Sequence, residues 1–205
     1  IPLLTEYLTT KDRAAAWDLF SRVANLAFLV TSSIAVLVFI FAQQIVDHVI
    51  VPGFTPEQRA LVAELMRLNL ISTIIFSISG LVMASLQANQ HFILPALAPT
   101  MYNVGQIFGA IIFVPIFGLP GLVYGVILGA LLHLGVQIPA LFKFGFQWTP
   151  ALDLRNTGLL EALKLLGPRL LTMGGIQLIV IARDYLASLT GQEGAVTSLA
   201  FGWMI

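Results

Sequence analysis

The longest stretch without a charged residue is the feature that most limits what this chain can fold into. No Asp, Glu, Lys or Arg occurs in the 75 residues from Leu68 to Phe142. A helix needs about 20 residues to cross the ~30 Å hydrocarbon core of a bilayer, so three crossings fit here. Two more uncharged stretches cover residues 23–46 and 170–182. The chain is 58% hydrophobic and only 10% charged, which excludes a soluble fold and intrinsic disorder.

Apolar residues fill consecutive positions in these stretches, as at residues 28–30, 34–41 and 111–116. Strands of a membrane barrel would alternate apolar and polar residues, whereas helices satisfy their own backbone hydrogen bonds in lipid. The sequence therefore predicts an all-α, polytopic transmembrane helix bundle. The predicted spans cover residues 23–46, 68–88, 94–117, 121–142 and 168–189, and a sixth begins at residue 195 and is cut off at residue 205. The chain starts Ile1-Pro2 without Met and stops in an apolar run, so we expect an excerpt of a longer protein.

Basic residues near the span ends predict the orientation, because cytoplasmic loops carry an excess of Lys and Arg. Seven basic residues fall in residues 1–22, in the connection 143–168 and at Arg169, while the opposite side holds only Arg59 and Arg67. We therefore expect residues 1–22 and 143–168 to be cytoplasmic.

Two short amphipathic helices are predicted in the connections. One covers residues 56–67, with Thr55 as N-cap and Pro56 in the first position, after a turn at Pro52-Gly53. The other covers residues 156–166. Both either lie on a membrane surface or merely shape the loops.

Small residues and prolines predict the packing and hinge positions. Glycines spaced by four let helices approach closely, either within one bundle or in a homodimer. Prolines remove a backbone donor, so they either bend a helix beside a cavity or only make its packing irregular. The structural and hinge candidates are Gly105, Gly109, Gly121, Gly125, Gly129, Pro95 and Pro99, and Pro115 lies in the same span as the two prolines.

Polar residues within the spans should face the bundle interior, because burying them in hydrocarbon is costly. Arg183 and Asp184 stand out, since they lie about two turns from the outer end of their span. Either both reach back to the interface, or Arg183 faces a cavity that receives an anionic substrate. The uncharged cavity candidates, for which hydrogen bonding between helices is the alternative, are Asn25, Asn103, Gln106 and Gln177.

The sequence shows no motif for catalysis, metal binding or nucleic-acid binding. Cysteine is absent, the three histidines are scattered, and no P-loop, HExxH or GxSxG motif occurs. Ten basic and ten acidic residues cancel, so no basic field points to nucleic acid. We expect a transporter with no catalytic residue, no metal site, no cofactor and no nucleic-acid partner.

The segment from Leu86 to Asn103 resembles the MurJ/MviN family of lipid II flippases. The family has a Leu-Asn-Ala turn there, followed by an aromatic residue, Pro-Ala, Pro and Asn. Shorter matches follow the same order as in the family, at Pro52-Gly53-Phe54, Leu166-Gly167-Pro168 and Leu186-Ala187-Ser188. The resemblance covers almost the whole chain, as the third to seventh helices and the start of the eighth.

The resemblance implies part of a fourteen-helix transporter of the MATE-like superfamily, in the bacterial inner membrane. It also implies alternating access and an undecaprenyl-pyrophosphate-linked peptidoglycan precursor as the substrate, with membrane lipids and cell-wall synthesis proteins as partners. The alternatives are a flippase for another polyprenyl-linked oligosaccharide, a cation exporter, or a non-transporting scaffold for cell-wall assembly.

Two positions depart from the family pattern. The family has Ala-Asp-Arg early in its eighth helix, where this chain reads Gly202-Trp203-Met204. An acidic residue late in the seventh helix, associated with sodium in some members, falls at about Arg183, with Asp184 next to it. Coupling to an ion gradient stays open, but the usual sodium ligand is replaced. Arg183 is a candidate substitute for the missing arginine.

Overall fold

Helices form all the regular secondary structure in the computed structural model, which describes residues 2–152, 157–192 and 194–202. The helices are α1 (Pro2–Thr10), α2 (Arg13–Ile45), α3 (Pro56–Ala88), α4 (Ile93–Phe108), α5 (Val114–Phe117), α6 (Pro120–Gly135), α7 (Ile138–Lys143), α8 (Thr157–Leu189) and α9 (Ala195–Gly202). Two π-helical segments, Val46–Ile50 and Gly109–Phe113, continue α2 and α4. The predicted all-α class is confirmed.

Five helical stretches are long and apolar enough to cross a membrane, as the fold class requires. They are Arg13–Ile50, Pro56–Ala88, Ile93–Phe117, Pro120–Lys143 and Thr157–Leu189. Each of them contains one predicted span. The sixth predicted span is described only as far as Gly202, where α9 ends. This is the architecture of a multi-pass membrane protein.

The segments predicted as separate amphipathic helices are the first turns of two long helices, α3 and α8. Residues 56–67 continue into the membrane span without a break, and α8 passes through Pro168 in the same way. Thr55 caps α3 as predicted, because its Oγ1 accepts the Gln58 amide N–H at 3.3 Å. The Gln58 side chain returns the contact, accepting the Thr55 amide N–H at 3.1 Å, which completes a capping box. Asn156, where the second amphipathic helix is predicted to begin, lies outside the described residues, as does the basic residue Arg155.

The two glycine motifs pack against each other. A Cβ on Gly105 would overlap the backbone of Gly129, and one on Gly125 would lie 2.6 Å from the Gly109 Cα. Gly121 stands in the same way against the backbone of Phe113. The motifs thus join α6 to α4 and its π-helical continuation within one chain, which is the predicted packing within a bundle.

The prolines of the third crossing differ in their surroundings. Pro95 is buried in the first turn of α4, where its missing N–H costs no intrahelical bond, and Pro99 lies inside the helix. Pro115 is the second residue of α5, which begins directly after the π-helical segment Gly109–Phe113. A π-helical turn is one way in which a helix accommodates a lost backbone donor. The hinge role of these prolines stays a prediction.

The chain forms two compact units. One comprises Ile1–Ala35 with Leu68–Leu163, and the other comprises Val36–Arg67 with Lys164–Ile205. The first unit has a buried cluster of seven residues, Trp17, Phe20, Ala24, Val82, Leu86, Ala140 and Leu141. The second has a smaller one, formed by Ala42, Val46, Val51 and Ala63. Each unit therefore has its own apolar core.

Candidate substrate-binding site

The two charged candidates on α8 form an ion pair with each other. The Arg183 Nε and Nη2 atoms both approach Asp184 Oδ1, at 2.9 and 2.7 Å. Neighbouring residues on a helix point in different directions, so the sequence alone does not predict this pairing. Only 21% of the Arg183 side chain and 24% of the Asp184 side chain are exposed. Most of each charged group is thus covered, and each neutralises the other.

The pairing leaves part of the guanidinium available for a ligand. A guanidinium has five N–H donors in a fixed planar arrangement, which suits carboxylate and phosphate oxygens. Asp184 engages Arg183 through a single carboxylate oxygen. Asp184 therefore neutralises the Arg183 guanidinium within an apolar helix, while other N–H donors of the guanidinium remain free for an anion.

The apolar part of α8 that precedes the pair has an exposed surface. Residues 170–179, which include Gln177, are all exposed. Gln177 lies nearly two helical turns before Arg183, so the two side chains do not share a turn. Beyond the pair, Ala187 and Ser188 are buried.

The end of α8 is held by the turn at Pro52-Gly53, in the same unit. The Gly53 amide donates to Ser188 Oγ at 3.3 Å. A Cβ on Gly53 would overlap the Ser188 carbonyl, so the approach requires glycine. The second-unit loop thereby fixes the helix five residues beyond Arg183. Sequence analysis places a turn at Gly53 but does not connect it with α8.

Asn25 is engaged by the backbone of the connection after α7. Its Nδ2 donates to the carbonyls of Thr149 and Ala151 at 2.9 and 3.1 Å, and its Oδ1 accepts the Trp148 indole N–H at 2.9 Å. Every hydrogen-bonding group of the side-chain amide is directed at this segment. The geometry favours a structural role for Asn25 over a cavity role.

Two further side chains on the same face of α2 bind the same segment. Ser21 Oγ accepts the Thr149 amide at 3.1 Å, and Trp17 Nε1 donates to the Phe144 carbonyl at 3.2 Å. Trp17, Ser21 and Asn25 are spaced by four, so they form one row along the helix. We call this row the α2 ladder. It satisfies backbone groups of the segment from Phe144 to Ala151, which lies outside any helix.

The two candidates on α4 are not brought to Asn25. Asn103 is exposed, and Gln106 donates to the Tyr102 hydroxyl at 2.8 Å, one turn away on its own helix. Asn25, Asn103, Gln106 and Gln177 thus have separate local surroundings, and their cavity roles stay predictions.

A buried polar cluster joins α3 to the end of α6 and is absent from the sequence-predicted site. Ser79 Oγ lies 2.6 Å from His133 Nδ1, and Gln137 Nε2 donates to Ser79 Oγ at 3.2 Å. Ser79 and Gln137 are fully buried and His133 is 7% exposed. The spacing of His133 and Gln137 by four signals a shared face in the sequence, but nothing there identifies Ser79 as the partner.

Metal-ligating groupings are not found in the part of the chain that the structure describes, where no three His, Asp or Glu side chains come together. Trp203 and Met204, where the resemblance expects an Asp-Arg pair, lie outside the described residues. Apart from Arg169 at the start of its span, Arg183 and Asp184 are the charged residues within the five predicted spans.

The chain is similar to known proteins over its whole length. A family model described as "Lipid II flippase MurJ" matches residues 1–205. A "Probable lipid II flippase MurJ" of Buchnera aphidicola subsp. Acyrthosiphon pisum is 29% identical over 193 residues, which is 92% of the chain and 38% of that protein. A "Lipid II flippase MurJ" of Burkholderia cenocepacia is 26% identical over 205 residues, which is 96% of the chain and 39% of that protein. The chain spans less than two fifths of the length of these relatives.

Proposed function

The chain belongs to the lipid II flippase MurJ family, and we propose that it takes part in moving a lipid-linked peptidoglycan precursor across the bacterial inner membrane. The observation that carries the proposal is the family match over the whole chain, which fits five apolar helices and no evident catalytic motif. The family is one of transporters, and the exporter and scaffold alternatives gain nothing from the match.

The proposed substrate contact is Arg183, with Asp184 as its partner in the unliganded state. Lipid II carries a pyrophosphate, and a guanidinium binds phosphate oxygens with two parallel hydrogen bonds. Asp184 keeps the guanidinium charge from being buried alone, which would be costly in a membrane helix. An arriving pyrophosphate binds the guanidinium donors that Asp184 leaves free. Arg183 then takes the role of the arginine that this chain lacks at Met204.

The cytoplasmic placement of residues 1–22 and 143–168 completes the proposal. With this orientation Arg183 lies about 9 Å from the outer end of α8, at 1.5 Å per residue. Alternating access would expose such a site to the two sides of the membrane in turn. Asp184 is already neutralised by Arg183, so we expect no sodium site at this position.

Complementation tests this function most directly. The full-length protein is expressed in a strain depleted of its own flippase, and growth and precursor exposed to a membrane-impermeant label are measured. We expect the parent protein to restore both. A parent protein that is inserted and folded, yet restores neither, would favour a scaffold role and contradict transport.

The role of Arg183 is tested in the same strain. Arg183→Ala should abolish complementation, and Arg183→Lys should retain part of it, because lysine keeps the charge but loses the planar donors. The matched control is Arg22→Ala, which breaks another ion pair, with Asp18 at 2.7 Å, outside the predicted spans. The amount and thermal stability of each variant in membranes are measured together. Complementation by Arg183→Ala at the parent level would exclude Arg183 as the substrate contact.

A further inference from the structure

Two apolar grooves lie side by side within the first unit. The larger one has a volume of about 340 Å³ and is bounded by α2, α3, α6, α7 and the segment after α7. The smaller one, of about 250 Å³, lies between α2 and that segment. Asn25, Phe28 and Trp148 border both of them, and every lining residue belongs to the first unit. We call the two grooves together the paired groove.

The paired groove offers a ligand no free polar side chain among the described residues that line it. Asn25 directs its amide at the Thr149 and Ala151 carbonyls and at the Trp148 indole N–H. The same bond occupies the indole N–H, and the other lining side chains are apolar. A water molecule needs two to four polar partners, and apolar cavities without them stay dry. The ligand that fits these walls is therefore a hydrocarbon chain.

Two aromatic rings divide the paired groove. The Trp148 ring is held by its bond to Asn25 Oδ1 at 2.9 Å, and the next residue, Thr149, is held by Ser21 Oγ. Trp148 is 61% exposed and Phe28 is 50% exposed, so both rings reach the surface where the two grooves meet. A single chain would fill one groove only. A fixed partition between two apolar grooves suits a ligand with two chains.

The paired groove continues the membrane-facing surface of α2. Phe28 and Leu29 line it, and the exposed apolar residues Val30 and Ile34 follow on the same helix. That helix is long and apolar enough to cross a membrane. The hydrocarbon that surrounds the helix therefore has direct access to the paired groove.

One end of the paired groove lies at the predicted cytoplasmic boundary. Asn25 is two residues, or ~3 Å, inside the predicted span 23–46, and tryptophans such as Trp148 are enriched at membrane interfaces. Lys143 is exposed and ends α7, two residues after Leu141, which lines the larger groove. Its long stem lets the ammonium stay in the headgroup layer. A phospholipid carries its phosphate at this level, so the charges are complementary.

We propose that the paired groove binds one phospholipid of the cytoplasmic leaflet, with an acyl chain in each groove and the Trp148 ring between the chains. Lipid tails are as apolar as the groove, so the hydrophobic effect does not favour the groove over bulk lipid. The preference arises from van der Waals contact with fixed walls and from the attraction of Lys143 for the phosphate. This lipid is distinct from the proposed transport substrate, which has a single polyprenyl chain.

Native mass spectrometry of the full-length protein tests the proposal. Protein purified in detergent is titrated with palmitoyl-oleoyl phosphatidylglycerol, and the affinity for the first bound lipid is measured. Ile138→Trp fills the larger groove and Leu152→Trp fills the smaller one, at positions that are 38% and 52% exposed and so can accept a larger side chain. The matched control is Ile34→Trp, at a position of α2 that is 55% exposed and lies outside both grooves.

We expect the parent protein and Ile34→Trp to bind the first lipid with the same affinity, and each groove variant to bind it about tenfold more weakly. Lys143→Gln should weaken binding about fivefold, as the loss of one basic residue near a lipid surface does. Parent affinity in both groove variants would overturn the proposal. A folded parent protein that retains no lipid would also overturn it, and would mean that another part of the full-length protein covers this face.

Single-chain competitors test the assignment of two chains. Lysophosphatidylglycerol has the same headgroup with one acyl chain, and undecaprenyl phosphate has one polyprenyl chain, so both should displace the bound lipid poorly. Displacement by either one as effective as by the two-chain lipid would contradict the proposal. Size-exclusion chromatography checks that each variant is folded, and the two groove variants substitute for each other if one of them is not. Because the readout is bound lipid, failure here leaves the flippase proposal intact, and failed complementation leaves this one intact.

Discussion

Helices α6 and α8 are both apolar enough to cross a membrane, but their surroundings differ. In the most apolar 18-residue window of Pro120–Lys143, 39% of the residues are buried, whereas in that of Thr157–Leu189 none is. α6 has glycines at positions 121, 125 and 129 that face a second helix. In the apolar part of α8 the glycines lie at positions 167, 174 and 175, and a Cβ there would meet nothing within 4 Å, whereas Gly158 in the first turn of α8 packs against Tyr7. Spacing by four, and not glycine content, distinguishes the packed helix from the exposed one.

The difference also separates two uses of polarity in a membrane helix. α6 ends in a buried contact between His133 and Ser79, which joins it to α3. α8 carries the charged pair Arg183 and Asp184. A buried polar contact between two helices fixes their packing, whereas a charged pair in a largely exposed helix is available to a ligand. The comparison thus supports a structural role for the polar residues of α6 and a binding role for the charged pair of α8.

The largest effect is expected from glycine replacement in the packed pair. Gly125→Leu places a side chain where its Cβ alone would lie 2.6 Å from Gly109 Cα and 2.9 Å from the Gly105 carbonyl oxygen. Because both contacts are with backbone, the helices must separate, and we expect loss of the folded protein. Gly125→Ala should cost about 1–3 kcal/mol, as overpacking does. Thermal unfolding in detergent, monitored by size-exclusion chromatography, measures the loss of folded protein in both variants.

Gly175→Leu on α8 is the matched control for that experiment. Its Cβ would meet nothing within 4 Å, so the structure predicts little change in unfolding temperature. A loss of stability as large as that of Gly125→Leu would contradict the difference in packing between α6 and α8. It would mean that the exposed face of α8 is packed against another part of the full-length protein.

A smaller loss is expected where α8 is held at its end. Gly53→Ala forces the Pro52-Gly53 turn away from the Ser188 carbonyl, which its Cβ would overlap. The cost should be about 1–3 kcal/mol, because the neighbour is backbone and cannot move aside cheaply. Unfolding temperature reports the loss. Gly80→Ala is the control, since its surroundings are open. Equal stability of the two variants would mean that the turn does not hold α8.

A loss of stability of similar or smaller size is expected from the α2 ladder, which lies in the same unit as the packed helix α6. Asn25→Leu removes three hydrogen bonds to the segment after α7, each worth about 1 kcal/mol net. We expect faster hydrogen exchange at the Thr149 and Ala151 amides, with transport reduced only in proportion to stability. Asn103→Leu, at an exposed position, is the control for hydrogen exchange. Transport abolished by Asn25→Leu at unchanged exchange rates would restore Asn25 as a cavity residue.

Much of the fold follows from the sequence, because it depends on local composition. Charge-free stretches locate the five crossings, and Thr55 locates the start of α3, since a helix cap needs only neighbouring residues. The sequence does not show where the crossings end, because α2, α3 and α8 each extend beyond the apolar stretch without a break. Amphipathic and membrane-embedded turns share the same backbone, so no break marks the boundary.

The candidate site is predicted less completely, since it depends on partners distant in sequence. Arg183 and Asp184 are identified by their rarity in an apolar helix. Asn25 looks like a cavity residue until its partners, more than 120 positions away, are known. The spacing of Trp17, Ser21 and Asn25 by four is the signal that the sequence offered for the ladder. Ser79 gives no such signal, because serine is common within these crossings and only the fold selects its partner.

The smallest effect is expected from Ser188, and it refines how the end of α8 is held. Ser188→Ala removes a long hydrogen bond from the Gly53 amide, at 3.3 Å, and a bond within α8 to the Tyr185 carbonyl, at 2.7 Å, but keeps the close backbone approach. Such a bond is worth about 0.5–1.5 kcal/mol, so the loss should be smaller than that of Gly53→Ala. The double variant separates the two contributions, because neighbouring changes are not additive if both act through the same contact. Unfolding temperatures of the two single variants and the double variant provide the measurement. A Ser188→Ala loss larger than that of Gly53→Ala would mean that the hydrogen bond, and not the close approach, holds this end of the exposed helix.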